Sequence, residues 1–204
     1  MREYAIVPLL NGFDPNNEDK VDEFSRAVLE KSVAVYRRMK EKGFDGHFLV
    51  IRSIVRSRVK KNIWFEVMRK EAIGLGVDPS DIVLTDIETT GALTDGLAIS
   101  RFSKKNSELA IYIIAANSSV AGYFRATYKA VGRILDNNPD FDFGIWYLNE
   151  GPVASLKTRI LYFGLWLFTV LISTGYTDFL FRLWFKFRDW HDRKRISGFV
   201  RTVE

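Results

Sequence analysis

WFEVMRKEAIGLGVDPSDIVLTD, Trp64 to Asp86, is the stretch whose reading decides the fold. Phe65, Met68, Ala72 and Leu75 recur at three- and four-residue steps, so they share one stripe of a helix whose other faces carry Glu66, Arg69, Lys70 and Glu71. Gly76 is placed to close that helix in a left-handed conformation, and Asp78-Pro79-Ser80-Asp81 is turn chemistry. Ile82-Val83-Leu84 is too short and too β-branched for a further helix and reads as a strand. Helix, tight turn and strand make half of a parallel α/β unit.

The same unit recurs on both sides. Tyr4 to Leu10 is a short apolar run, a buried first strand, followed by a polar loop through Asn11, Gly12, Asp14, Asn16 and Asn17. Asp22 to Lys42 reads as a helix with Phe24, Val28, Ser32, Val35 and Met39 on one side and Gly43 at its end. Phe48 to Ile51 is a second strand, followed by a basic loop, Ser53 to Asn62, without the glycines a phosphate-binding loop uses. Beyond Thr89-Thr90-Gly91 comes a helix through Leu93, Leu97, Ile99 and Phe102. Leu109 to Ala115 is continuously apolar, the pattern of a strand covered on both faces, and is expected to be the most buried element. Asn117, Ser118 and Ser119 then open a helix with Tyr123, Phe124, Tyr128 and Val131, and Phe143 to Leu148 is a fifth strand. Alternating strands and helices with right-handed crossovers predict an α/β domain over 1–151, a three-layer, Rossmann-like, mostly parallel sheet.

With 204 residues and 47% hydrophobic composition, one substantial core is affordable. No cysteine is present, which excludes disulfides and thiolate metal sites, and His47 and His191 are too few and too far apart for a histidine-rich one, so no metal ligands are assigned. The formal charge of +5 is uneven, with basic clusters at Arg52 to Lys61 and Arg182 to Arg201. MREYAIVPLL has too short an apolar run for a cleavable signal, which points to the cytoplasmic or organelle-matrix side of a membrane.

Across roughly residues 4 to 135 the chain resembles the YdcF/SanA/ElyC-like family, a domain of formally unknown function. Glu66-x-Met68 with Ala72, Leu75-Gly76-Val77 and Asp81-Ile82 resembles that family's Glu-Ala-x-x-Met, Leu-Gly-Val and Asp-Ile run. AIVPLLNG from Ala5 is similar to its glycine-ended first strand, and SSVAGYFRA, Ser118 to Ala126, to its Thr-Ser-x-x-His-x-x-Arg-Ala segment. Gly122 stands where the family has its histidine, Arg52-Ser53 replaces a glycine pair, and ETTGALTD, Glu88 to Asp95, keeps a trace of Ser-x-Asn-Thr-x-Glu-Asn. The resemblance implies envelope- or polysaccharide-related roles and a nucleotide-type ligand in some members. It also implies an eroded site here, since glycine has no side chain to move a proton.

The last quarter, 152–204, is different in kind. Ile160 to Thr177 is an uncharged run rich in Leu, Phe and Trp, and FLFRLWFKFRDWHDRKR then alternates aromatics with cations. About eighteen residues at ~1.5 Å each are at the short end of what crosses ~30 Å of hydrocarbon. Lys157 and Arg159 before the run and Arg182, Lys186 and Arg188 after it leave no charge asymmetry to orient a span, which suits an in-plane segment. Apolar residues all around the helix argue against burial on one sheet face. Membrane lipid, other subunits of a membrane complex and self-burial are the three destinations weighed, with lipid favoured. Contact is expected through Trp166, Phe168, Phe181, Arg182, Trp184, Lys186, Arg188 and Trp190. Nucleic acid is not expected, because cations beside an uncharged apolar run suit lipid better.

Two functions compete. One is a non-catalytic accessory or tethering subunit of a membrane-associated assembly, with no catalytic residues assigned. The alternative is an envelope-related enzyme or sensor binding a phosphorylated or nucleotide-type ligand at the strands' carboxyl edge through Asn11, Asp14, Asn117, Ser118, Ser119 and Arg125. In that alternative Asp14 is the acid/base or metal-coordinating group and Arg125 a charge clamp. No cofactor is named by the residues.

Overall fold

The structure is a computed structural model and describes residues 3–10, 13–14, 17–54, 64–115, 118–148, 156–173 and 177–201. Five strands, β1 (Tyr4–Pro8), β4 (Gly46–Val50), β5 (Ile82–Leu84), β6 (Ala110–Ala115) and β7 (Gly144–Tyr147), form one sheet in the order β5-β4-β1-β6-β7. Every pairing in it is parallel, with Ile6 opposite both Phe48 and Tyr112. Counting only these strands, the order is three-two-one-four-five, that of a doubly wound Rossmann-type sheet. The α/β, mostly parallel expectation holds.

The Trp64 to Asp86 stretch folds as its spacing predicts. Helix α2 (Trp64–Gly74) buries Trp64, Val67, Met68 and Ala72, with Phe65 and Leu75 packed at the margin of the same core. Gly76 has a φ of 93°, the left-handed region that only glycine enters without strain, and the Asp78 side chain caps the short 3-10 turn Pro79–Asp81 ahead of β5. In α1 (Glu23–Glu41) Asp22 accepts a hydrogen bond from the Ser25 amide as N-cap. Its buried stripe is Ser25, Val28, Leu29, Ser32, Val33 and Tyr36, rotated from the predicted one, so Phe24, Val35 and Met39 sit at the edge of the interface.

Side chains of β1 alternate between the two faces. Tyr4 and Ile6 meet α1 and α2, and Ala5 and Val7 meet α3 (Ala92–Lys105) and α4 (Ser118–Leu135) through Ile99 and Tyr128. All five β1 residues are buried, whereas Ala110 of β6 is exposed. The most buried strand is therefore β1 and not the Leu109 to Ala115 run, because the strand order puts β1 at the centre and β6 beside the edge. Where a polar loop was expected after β1, β2 (Phe13–Asp14) and β3 (Asn17–Val21) pair as a small antiparallel ribbon, with β3 contacting α1 and α2.

Outside α3 and α4 lies a further helical layer, α5 (Leu156–Ile172) followed by α6 (Asp178–Arg201). The helical part of the uncharged run, 160–172, lies wholly in α5, and the run ends before α6 begins at Asp178. The Tyr162 ring of α5 lies tilted against that of Tyr123 of α4, centroids 5.6 Å apart, and the Arg133 guanidinium at the other end of α4 reaches Asp178 at 3.1 Å, so α5 runs alongside α4 and α6 runs back.

Candidate functional site

The strand order reverses direction between β1 and β6, and in such sheets ligands lodge at the carboxyl ends of the strands flanking that point. Asn11 and Asn117, the predicted contacts that follow β1 and β6 in the sequence, lie outside the described residues, as do residues 55–62 of the basic stretch expected to be a loop from Ser53 to Asn62. Ser118 and Ser119 open α4 at the end of β6, as expected, but only their backbone is described. Asp14 is half-buried and paired in register with Asn17 in the ribbon. Arg125 is exposed farther along α4, where its charge reaches Asp142 ahead of β7, at the opposite edge of the sheet. A hydrogen bond from Lys129 holds the Asp142 carboxyl below the usual carboxylate range; burial opposes it, and a hydrogen bond from the Phe143 amide and then the charges of Lys129 and Arg125 add to the lowering. The ion-pair partner of Asp142 is Lys129, at 2.9 Å. The position of the resembled histidine, Gly122, is exposed, and a Cβ there would meet nothing within 4 Å.

A polar cluster not anticipated from the sequence sits where α3 begins. Thr89 continues the β4 edge through a bridge to Ser53, and its hydroxyl, the Asp95 Oδ1 and the Tyr128 hydroxyl are all sealed from solvent without a hydrogen-bond partner among the described residues. Burial pushes the Asp95 carboxyl up to about 7, with the neighbouring Thr89 hydroxyl opposing the shift short of hydrogen-bond geometry. Burial, and then the Asp95 charge, raises Tyr128 well above its ordinary value. Gly96 makes room for this: a Cβ there would stand 2.5 Å from the Tyr128 ring. The one signal for the cluster is Thr and Asp at the helix start in ETTGALTD, which reads equally as capping. Among the described residues no three His, Asp or Glu side chains come together to hold a metal ion. An open depression of about 570 Å³ lies at the amino edge of the sheet instead, bordered by Tyr36, Lys40 and Asp81, where Tyr36 and Lys40 both donate to Asp81 at 2.5 and 2.7 Å.

The α5–α6 hairpin is the larger anomaly. Among the described side chains of α5 only Thr169 is buried, with Tyr162, Leu165 and Ile172 half-buried, a single stripe that packs inward. Leu156, Ile160, Phe163, Leu167 and Leu171 form an exposed stripe at helical spacing, with Phe163 62% exposed, and Trp166 and Phe168 are exposed beside it. Along α6 the outward stripe is Phe179, Leu183, Phe187 and Trp190. Of the predicted contact residues, Trp166, Phe168, Arg182, Lys186, Arg188 and Trp190 face outward and Trp184 is half-buried. Phe181 is a correction. It is 0% exposed, clamped by Leu93 of α3 and Val131 and Ile134 of α4, so it holds the hairpin on the domain and touches neither lipid nor partner. Trp184 bridges the two roles, with ring centroids 5.7 Å from Phe181 and 5.3 Å from Phe168 of α5. Among the described residues no helix is long and apolar enough to cross a membrane.

The chain matches no protein-family model, no curated protein and no solved structure. The YdcF-like reading therefore rests on its motifs.

Proposed function

We propose that this protein is a non-catalytic accessory or tethering subunit of a membrane-associated assembly, an α/β domain held at a membrane surface by the α5–α6 hairpin. The observation that carries the reading is the row of exposed Leu, Ile, Phe and Trp side chains on both helices. Apolar patches this continuous are costly in water and mark a surface that meets lipid or another chain. At ~1.5 Å per residue, the 17 residues of α5 rise roughly 25 Å, less than the ~30 Å of a bilayer core, which favours helices lying in the interface plane. Gly122 in place of an acid/base side chain favours a binding role over a chemical one. Alkaline carbonate extraction of the native protein tests the reading: it should stay with the membrane pellet or leave it with other chains. A monodisperse monomer in the supernatant refutes it.

One observation favours the second reading, a sensor or enzyme for a phosphorylated or nucleotide-type ligand. The sheet has the topological switch point such ligands use, between β1 and β6. A melting midpoint that moves with a panel of nucleotides and sugar phosphates would bring that reading forward.

A further inference from the structure

We infer that the outward side of α6, with the first turn of α5, recognises the anionic phosphate headgroups of a bilayer surface. This rests on the membrane reading above and adds the lipid class to it. The observation behind it is a sorting of charge by sign. Between residues 156 and 194 the acids are Asp178, Asp189 and Asp192, and all three lie half-buried on the inward side of α6. Each has business with the domain. Asp178 meets Arg133 at 3.1 Å, Asp189 accepts from the Thr90 hydroxyl at 3.3 Å, and Asp192 lies against Gly91. Thr90 and Gly91 open α3, where their amides donate to the Thr94 hydroxyl, and two carboxylates from α6 sit at the positive end of its dipole.

The bases point the other way. Lys157, Arg159, Arg182, Lys186, Arg188, Arg193 and Lys194 are all exposed. Arg188 and Arg193 are tied along the helix to Asp192 and Asp189 at 3.0 and 2.9 Å, whereas Lys157, Arg159, Arg182 and Lys186 have no ion-pair partner among the described residues. Arg182 and Lys186 lie one turn apart beside the Phe179, Leu183, Phe187 and Trp190 stripe, and the Lys194 ammonium stands 5.1 Å from the Trp190 ring centroid. Rings that settle at the acyl boundary with cations reaching up to phosphates need this interleaving. The buried centre of a protein–protein interface is depleted of charge, which disfavours a protein partner over the same stripe.

Flotation of the full-length chain with vesicles of phosphatidylcholine alone, or of phosphatidylcholine with phosphatidylglycerol, tests the inference. Wild type should prefer the anionic vesicles, and the double variant R182Q/K186Q should bind them roughly 20- to 30-fold more weakly while binding phosphatidylcholine vesicles equally well. The wild-type preference should also collapse as salt rises, a readout independent of any variant. Equal capture by both vesicle types, insensitive to salt, overturns the lipid assignment and leaves the membrane reading intact. Capture by neither overturns both, and copurification with another chain in that case assigns the stripe to a protein.

Discussion

Helices α1 and α5 are of similar length, 19 and 17 residues, yet they treat their side chains in opposite ways. Helix α1 turns Val28, Leu29, Val33 and Tyr36 against the sheet and keeps Arg26, Glu30 and Lys31 in water. Helix α5 puts a buried threonine on its inner side and leaves leucines and phenylalanines outside. The α/β sandwich turns its apolar side chains inward and its charged ones outward. The hairpin leaves an apolar side uncovered, because packing against its own domain hides one stripe of α5, and that uncovered side is what the proposed membrane role rests on. Helix α6 is where the two designs meet: Phe181 belongs to the domain and Phe179, two residues earlier, to the surface.

That junction gives the sharpest way to break the comparison. Phe181→Ala should cost about 3–5 kcal/mol in denaturant unfolding, since it empties a site closed by Leu93, Val131 and Ile134. Phe179→Ala, at 61% exposure, should change stability by no more than roughly 0.5 kcal/mol while weakening vesicle binding. Equal losses of stability from both would mean that the hairpin's outer face is covered by the protein's own structure, and the contrast between the two regions would disappear.

The sandwich has its own exception to the rule that its interior is apolar. Asp95 is half-buried as a residue but its Oδ1 is sealed from solvent, and the carboxyl is pushed up to about 7 from 3.8, so it stays protonated in the fold at pH values where the unfolded chain is ionised. The sign follows. Below pH ~4 both states are neutral and stability is complete. As pH climbs through 7 the unfolded state is increasingly favoured, and by pH 8 the loss is of the order of 4 kcal/mol at most. Asp95→Asn should flatten the profile of urea midpoint against pH and leave the variant more stable than wild type above pH 8. A wild-type midpoint indifferent to pH between 5 and 8 would show that the carboxyl reaches water or a partner.

What was legible in the sequence follows from what periodicity can carry. The Trp64 to Asp86 stretch had a helical stripe, a glycine at the left-handed position and a β-branched run, three signals that agree, and the structure follows them. The β3 strand, NEDKV, has no apolar alternation because it is a short, exposed ribbon, and nothing in it announces pairing. Strand neighbours are a tertiary property, so the central place of β1 and the switch point beside it were out of reach of local pattern. The greasiness of α5 was plain, but the inward turn of Phe181 was not, since FLFRLWFKF places an aromatic at nearly every angle around the helix and only the groove between α3 and α4 selects one. The Asp95 cluster was hidden for a related reason: a Thr-rich helix start is ordinary capping chemistry until the fold closes over it.

A change of under about 1 kcal/mol bears on the eroded-site reading and on the outer side of the sandwich. Gly122 lies within α4 with a φ outside the left-handed region, and a Cβ there meets open space. Nothing in the packing asks for glycine at this position, which in a helix costs roughly 1 kcal/mol relative to alanine. Gly122→Ala should therefore raise stability by about 0.5–1 kcal/mol, read as a higher urea midpoint with an unchanged slope. If the substitution instead lowers stability, the open space beside Gly122 is filled in the native protein by something the side chain displaces. A ligand or partner seated at the head of α4 would then explain the glycine better than erosion does.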